Sequence, residues 1–274
     1  VGSEMCIRDR YASIIGNVIN FCLNAFFLFV LHKGVAGVAT ATVISRIINL
    51  VIVVLLGAVL VKAKQHPERE SNREVMGQII RIGLPSACET AIYNVSMTLV
   101  IRFLNQMDAQ GLNVTARSYT MQITNFSYCV GAALAQANAI MTGWHIGAKE
   151  YDACDRGTKK AAVIGVIVAV ILETVFTLCS GWIMQLFSKD PQMVSLVGKL
   201  LAIDIVLEMG RVTNLVYGQA LKTSGDAVFP VVMGACFMIL CSVGGTYLFG
   251  IRLGLLAVGA YIGMTGDECV RAVG

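Results

Sequence analysis

The chain has 274 residues, of which 56% are hydrophobic and 14% charged, and its 21 Lys and Arg against 17 Asp and Glu give a formal net charge of +4. Soluble domains carry about 25% charged residues, so this composition, with a mean hydropathy of +0.72, excludes an ordinary soluble globule and points to a membrane protein. The small positive balance is carried by loops, where it bears on topology and anionic lipid and gives no nucleic-acid signal.

In chain order, the first ten residues, VGSEMCIRDR, are a polar leader without an apolar signal-peptide core and read as a non-native junction. Apolar runs then cover residues 11–31, 35–61, 79–104, 114–142, 160–187, 194–221, 228–249 and 253–271. A helix needs roughly 20 such residues to cross a hydrocarbon core of about 30 Å, so the runs predict about eight transmembrane helices. No period-two alternation of the kind a membrane barrel strand shows is present. The expected fold class is an all-α polytopic membrane protein, because lipid forces each backbone to bond within its own helix.

The longest polar segment, KAKQHPERESNREVMGQIIR (62–81), holds Lys62, Lys64, Arg69, Arg73 and Arg81. It predicts a linker at 62–78, between two helices at 11–61 and a six-helix lobe at 79–274. Lys149, Arg156, Lys159, Lys160 and Lys222 fall on the linker side, against Lys33, Lys189 and Arg252 on the other. The positive-inside rule then puts the linker and both chain ends in the cytoplasm of a cell (plasma or inner) membrane protein.

An internal repeat supports this division. Shifted by 220 residues, LFVLHKGVAGV (28–38) lies on LFGIRLGLLAV (248–258), with Leu28/Leu248, Phe29/Phe249, Gly34/Gly254 and Val38/Val258 identical and His32 over Arg252. Similar turn chemistry in two hairpins is one explanation. Parallel repeats, a known transporter plan, are the other. On that plan the chain holds the last two helices of a first repeat and all six of a second, and four preceding helices are missing partners.

Ionisable groups at membrane depth are costly and face protein or a water-filled cavity. In LLAIDIVLEMGRVTN (200–214), Asp204, Glu208 and Arg211 follow steps of four and three, which stack them on one helix face. Arg211 can pair with Glu208 one turn away, which leaves Asp204 beside a second carboxylate. Two readings stay open: a proton or cation site, with Na+ near Asp204 and Glu208 as one form, and a structural salt bridge. The third run offers Glu89, Tyr93 and Ser96 on one face, and the fourth Ser118, Gln122, Asn125, Cys129 and Gln136. Such stripes are polar glue between helices or a cavity wall, and their occurrence on three spans, with Asn214 added, favours a cavity. Tyr93, Tyr119 and Met121 would give it soft, aromatic contacts for flat cations. Glu173 stands alone and has no assigned role. Arg46, Arg102 and Arg117, nearer the run ends, read as snorkelling side chains.

The nine cysteines show no paired spacing and read as small core residues. With no P-loop, hydrolase or metal-spaced motif, the expectation is no enzyme, no cofactor and no metal, and a solute moved in exchange for an ion.

Five segments carry a family resemblance. IGLPSACE (82–89), GWHIGAKEYDACDR (143–156), QALKTSGDAVFP (219–230) and LGLLAVGAYIGMTGDECVRA (253–272) resemble, in that order, the second half of multidrug and toxin extrusion (MATE) transporters. LFVLHKGVAGVATATVISR (28–46) looks like the end of that family's first half. The resemblance implies a twelve-helix antiporter of two six-helix lobes that exports organic cations and other small amphipathic compounds in exchange for H+ or Na+. It also implies acidic residues at work in the seventh and tenth helices, matched here by Glu89 and by Asp204 with Glu208. A lipid-linked sugar flippase of the same superfamily is the alternative within transport. It calls for a markedly basic cavity, whereas acids at least equal bases at depth here. A non-transporting scaffold is the alternative outside transport.

Overall fold

A computed structural model describes the backbone of residues 2–63, 72–107 and 111–273, and the side chains of 14–55, 76, 77, 80, 83–107 and 111–273. Those residues are helical apart from short connections, as the long apolar runs predict. The contacts divide the chain into a unit of residues 1–71 and a unit of residues 72–274.

The first unit is a helix pair, α1 (Gly2–Ala25) and α2 (Gly34–Ala63). It is held by small and polar groups: Asn20 Nδ2 donates to Ser45 Oγ at 2.8 Å, and Gly16 lies against the Asn49 side chain. Between the helices runs a π-helical turn, Phe26–Val30, and Gly34 takes the left-handed φ of 54° that glycine adopts at little cost.

In the second unit, α3 (Asn72–Met107), α4 (Leu112–Gly147), α5 (Tyr151–Leu178), the short α6 (Ser180–Gln185), α7 (Pro191–Thr223), α8 (Val228–Phe237) and α9 (Leu256–Val273) follow one another. Residues 62 and 63 belong to α2 and 72–78 to α3, so part of the expected 62–78 linker is helix, and 64–71 lie outside the described residues. The chain leaves α8 through two π-helical segments, Met238–Val243 and Thr246–Arg252, and Gly254 follows with φ 69°. The turn at 26–34 and the turn at 246–254 therefore share a π-helical exit and a left-handed glycine, 220 residues apart, where the sequences also match.

The central element is α7. Asp190 caps it by accepting from Gln192 N at 3.0 Å, with Pro191 at the first helical position. Val197, Leu200, Leu201, Leu207, Val212 and Val216 are fully buried along it, packed against α4, α5 and α9. Glycines set how closely the neighbours come. A Cβ on Gly210 would stand 2.8 Å from the Glu268 carbonyl carbon of α9, one on Gly259 2.5 Å from Gly250 N, and one on Gly245 2.7 Å from Gly263 Cα.

The helical rods of the described residues follow the apolar runs. Among the described residues, three stretches are both long and apolar enough to cross a membrane by themselves: Gly34–Leu55, Tyr151–Leu178 and Val228–Arg252. The others carry polar side chains. The cysteines are corrected: the eight with described side chains are exposed or half-buried and none lies in the core. On helices bound for lipid, the outside is as apolar as the inside, so an apolar run does not tell which face a cysteine takes.

Candidate functional site in the second unit

The charged stripe of α7 is placed by the burial of the helix around it. Asp204 is 2% exposed and Glu208 0%. Arg211 Nη1 donates to Glu208 Oε2 at 2.8 Å, the pairing that the three-residue step predicts. From there a network crosses to α9. Arg211 Nε lies 3.7 Å from Glu268 Oε1, and Arg271 Nη2 lies 3.0 Å from Glu268 Oε2. Arg271 Nη2 also donates to Asp267 Oδ2 at 3.0 Å, and Ser242 Oγ donates to the same oxygen at 3.0 Å. Asn214 Nδ2 donates to Glu268 O and Oε2 at 2.9 and 2.8 Å. Gly210 makes the crossing feasible, since a side chain there would hold the backbone of Glu268 away.

Several buried oxygens on α4, α5 and α7 have no hydrogen-bond partner among the described residues: Asp204 Oδ2, Glu208 Oε1, both carboxylate oxygens of Glu173, and Ser127 Oγ. Glu173 is 0% exposed and within electrostatic reach of Asp204 and Glu208, with Ser127 beside it. Buried carboxylates without donors are costly, and their concentration here is the strongest departure from ordinary packing in the unit. Among the described residues, no group of three or more acidic, Cys or His side chains has the arrangement of a metal site.

In front of this layer opens a cavity of 1390 Å³ lined by α3, α4, α5, α7, α8 and α9. Of the sequence-predicted residues, Glu89, Tyr93, Asn125, Arg211 and Asn214 line it, as does Met121. Glu89 already has a cation: its Oε2 is paired with Lys222 Nζ from the last turn of α7. Asp204 and Glu208 are not on the wall but behind it, joined to it through Arg211.

Four expected lining residues lie elsewhere, and so does Tyr119. Ser96 is packed inside at 2% exposure. Ser118, Gln122 and Gln136 are on the exposed side of α4, where Ser118 Oγ donates to Val114 O at 2.9 Å. Tyr119 packs its ring on Phe187 with centroids 5.5 Å apart. The reason is that α4 has two polar stripes. The inward one is Arg117, Thr120, Thr124, Ser127, Asn138 and Thr142, and spacing alone does not say which stripe turns in.

Arg117 is the second correction. It is 4% exposed and lines the cavity, so it does not snorkel to the membrane surface. The signals that sequence reading passed over were its register with Thr120 and Thr124, and the Asp267, Glu268 and Arg271 triplet at helical spacing in the last run.

A polytopic all-α membrane fold whose second unit surrounds a charged, partly aromatic cavity defines the class. The chain belongs to the MatE family, whose profile matches residues 85–248. It is 33% identical over 97% of its length to the uncharacterized transporter YisQ of Bacillus subtilis, of which it covers 60%. It is 22% identical over 81% of its length to the probable multidrug resistance protein NorM of Pasteurella multocida, covering 51% of that protein. The chain thus spans about two fifths to three fifths of the length of the curated relatives it matches. In fold it is similar to a MOP superfamily transporter from Pyrococcus furiosus, with a TM-score of 0.81, 20% identity, and coverage of 96% of this chain and 59% of that one.

Proposed function

We propose that this chain serves in a secondary active antiporter of the cell membrane that exports organic cations and drugs in exchange for H+ or Na+. The observation that carries the reading is the pair Asp204 and Glu208, buried behind the cavity with Asp204 Oδ2 and Glu208 Oε1 unsatisfied and with Arg211 bridging from Glu208 to the wall. A small cation taken up by these carboxylates competes with Arg211 for Glu208. Arg211 then shifts its weight toward Glu268 and the cavity, which makes the wall more positive and expels a cationic substrate. Loss of the ion returns Arg211 to Glu208 and restores affinity. Substrate and coupling ion therefore compete through Arg211 rather than for one shared carboxylate, and one lobe rocking against the other would supply alternating access. The linker and the C-terminus lie on the cytoplasmic side in this reading, and the preceding helices of the first lobe come from the remaining length that the relatives have.

A lipid-linked sugar flippase is the second reading, favoured by one observation. The wall carries five bases, Arg117, Lys159, Arg211, Lys222 and Arg271, against two acids, Glu89 and Glu268. The acids that balance them at depth stand behind.

The test is dye efflux from vesicles, driven by a pH or Na+ gradient, in the protein extended to its relatives' length. Asp204→Asn and Glu208→Gln are expected to lower efflux at least twentyfold with folded protein still in the membrane. The double change Glu208→Gln with Arg211→Gln is expected to keep folded protein in the membrane as well, while efflux stays down. Recovery of efflux in the double variant would assign the pair to structure alone and end the coupling role.

A further inference from the structure

The four other bases of the cavity wall each have a carboxylate. Lys159 has Asp155 at 2.7 Å, Lys222 has Glu89, Arg211 has Glu208 and Glu268, and Arg271 has Asp267 and Glu268. Arg117 has none among the described residues. Its Nε lacks any hydrogen-bond partner, and its nearest polar contact is the Met97 sulfur, 3.5 Å from Nη2. The side chain is 4% exposed, and its remaining access is to the cavity that it lines. Tyr261 of α9, within electrostatic reach of it, brings a hydroxyl and no charge.

A guanidinium held away from water with unused donors is pre-arranged for an oxyanion, because its planar fork matches a carboxylate with two parallel hydrogen bonds. Nothing in its own helix provides that oxyanion. The neighbouring wall residues Met121, Thr124, Tyr128 and Tyr261 give a flat apolar body a surface to lie on, with a hydroxyl beside the charge. We propose that Arg117 is an anion-recognition point of this cavity, which binds amphiphilic organic molecules through a carboxylate or sulfonate group, either as anions or as zwitterions whose positive end is the exported cation. The proposal rests on the reading of the cavity as the substrate site and extends that site's substrate class beyond simple cations.

The test is equilibrium binding without any gradient, so a failed antiport reading and a failed anion site give different results. The protein extended to its relatives' length, in phosphatidylcholine nanodiscs, is titrated with 2-naphthoate and with 2-naphthamide, the same ring without the charge. Wild-type protein is expected to bind naphthoate at least tenfold more tightly than the amide. Arg117→Gln is expected to reduce that preference below twofold, and Arg117→Lys, which keeps a point charge but not the fork, to leave about threefold. Equal binding of the two probes by wild-type protein overturns the proposal, as does a preference that survives Arg117→Gln. If Arg117→Gln does not fold, Arg117→Lys decides: an undiminished preference in it overturns the bidentate contact. Adding phosphatidylglycerol to the discs separates a soluble ligand from a lipid headgroup. Naphthoate affinity is expected to stay within twofold, and a tenfold loss would reassign Arg117 to lipid and overturn the proposal.

Discussion

On the cavity wall five bases stand with two acids, Glu89 and Glu268, whereas Glu173, Asp204, Glu208 and Asp267 lie behind it at 2% exposure or less. Arg211 and Glu208 are one turn apart on the same helix, yet one lines the cavity and the other is fully enclosed. The difference is side-chain reach. A guanidinium on a three-carbon stem can leave the helix surface and bring its charge to an opening, while a carboxylate stays near its own backbone. A membrane bundle with mixed charges on one face therefore sorts them by depth, bases forward and acids back. Near-equal counts of acid and base along the helices thus coexist with a basic surface where a solute would touch.

The contrast depends first on α7 and α9 lying close enough for Arg211 to reach Glu268. Gly210→Val places carbon where α9 backbone already is and is expected to cost about 3 kcal/mol. It should also break the link between the layers, read as a fall in thermal midpoint in detergent and a low yield of monodisperse protein. Full stability in this variant would show that the helices have room to part.

A smaller effect of opposite sign tests the acidic layer. Glu173 is fully buried and makes no ion pair among the described residues, with only the Ser127 hydroxyl beside it, so Glu173→Leu removes a poorly satisfied carboxyl group and is expected to stabilise the protein by about 1 kcal/mol. That is a rise of a few degrees in the thermal midpoint. A marked fall instead would mean that the carboxyl holds a contact worth more than its burial costs.

The smallest effect is expected at the wall's outer edge. Asp155 and Lys159 form an exposed pair at 2.7 Å, one helical turn apart, and exposed pairs of this kind contribute only about 0–1 kcal/mol. Lys159→Gln should leave the thermal midpoint unchanged from pH 6 to pH 9, and a shift inside that window would give Lys159 a buried role that its exposure denies.

Much of this was legible in the residues. The rods follow the apolar runs because hydrocarbon leaves a helix few alternatives. The Glu208 to Arg211 pairing follows from helical spacing alone. What spacing does not contain is which of two polar stripes faces inward. On α4 the outward Ser118, Gln122 and Gln136 and the inward Arg117, Thr124 and Ser127 are equally periodic, and only the helices packed against α4 choose between them. Glu173 was unreadable for a related reason. Its importance lies in Asp204 and Glu208, 31 and 35 residues further on, which packing brings near. The same holds for Glu268, whose partners on α7, Arg211 and Asn214, are reached across a loop and a whole helical rod.

The contact of Gly259 with Gly250 and of Gly245 with Gly263 also has a mechanical consequence. Where two backbones touch, no intervening layer of side chains can change rotamer and let one element slide along the other. Segment 246–252 and α9 therefore behave as a single stiff strut. Any bending of this unit must be absorbed at joints filled by long, adaptable side chains, such as the methionines and leucines between α3, α4 and α7, or at the left-handed glycine hinge at position 254.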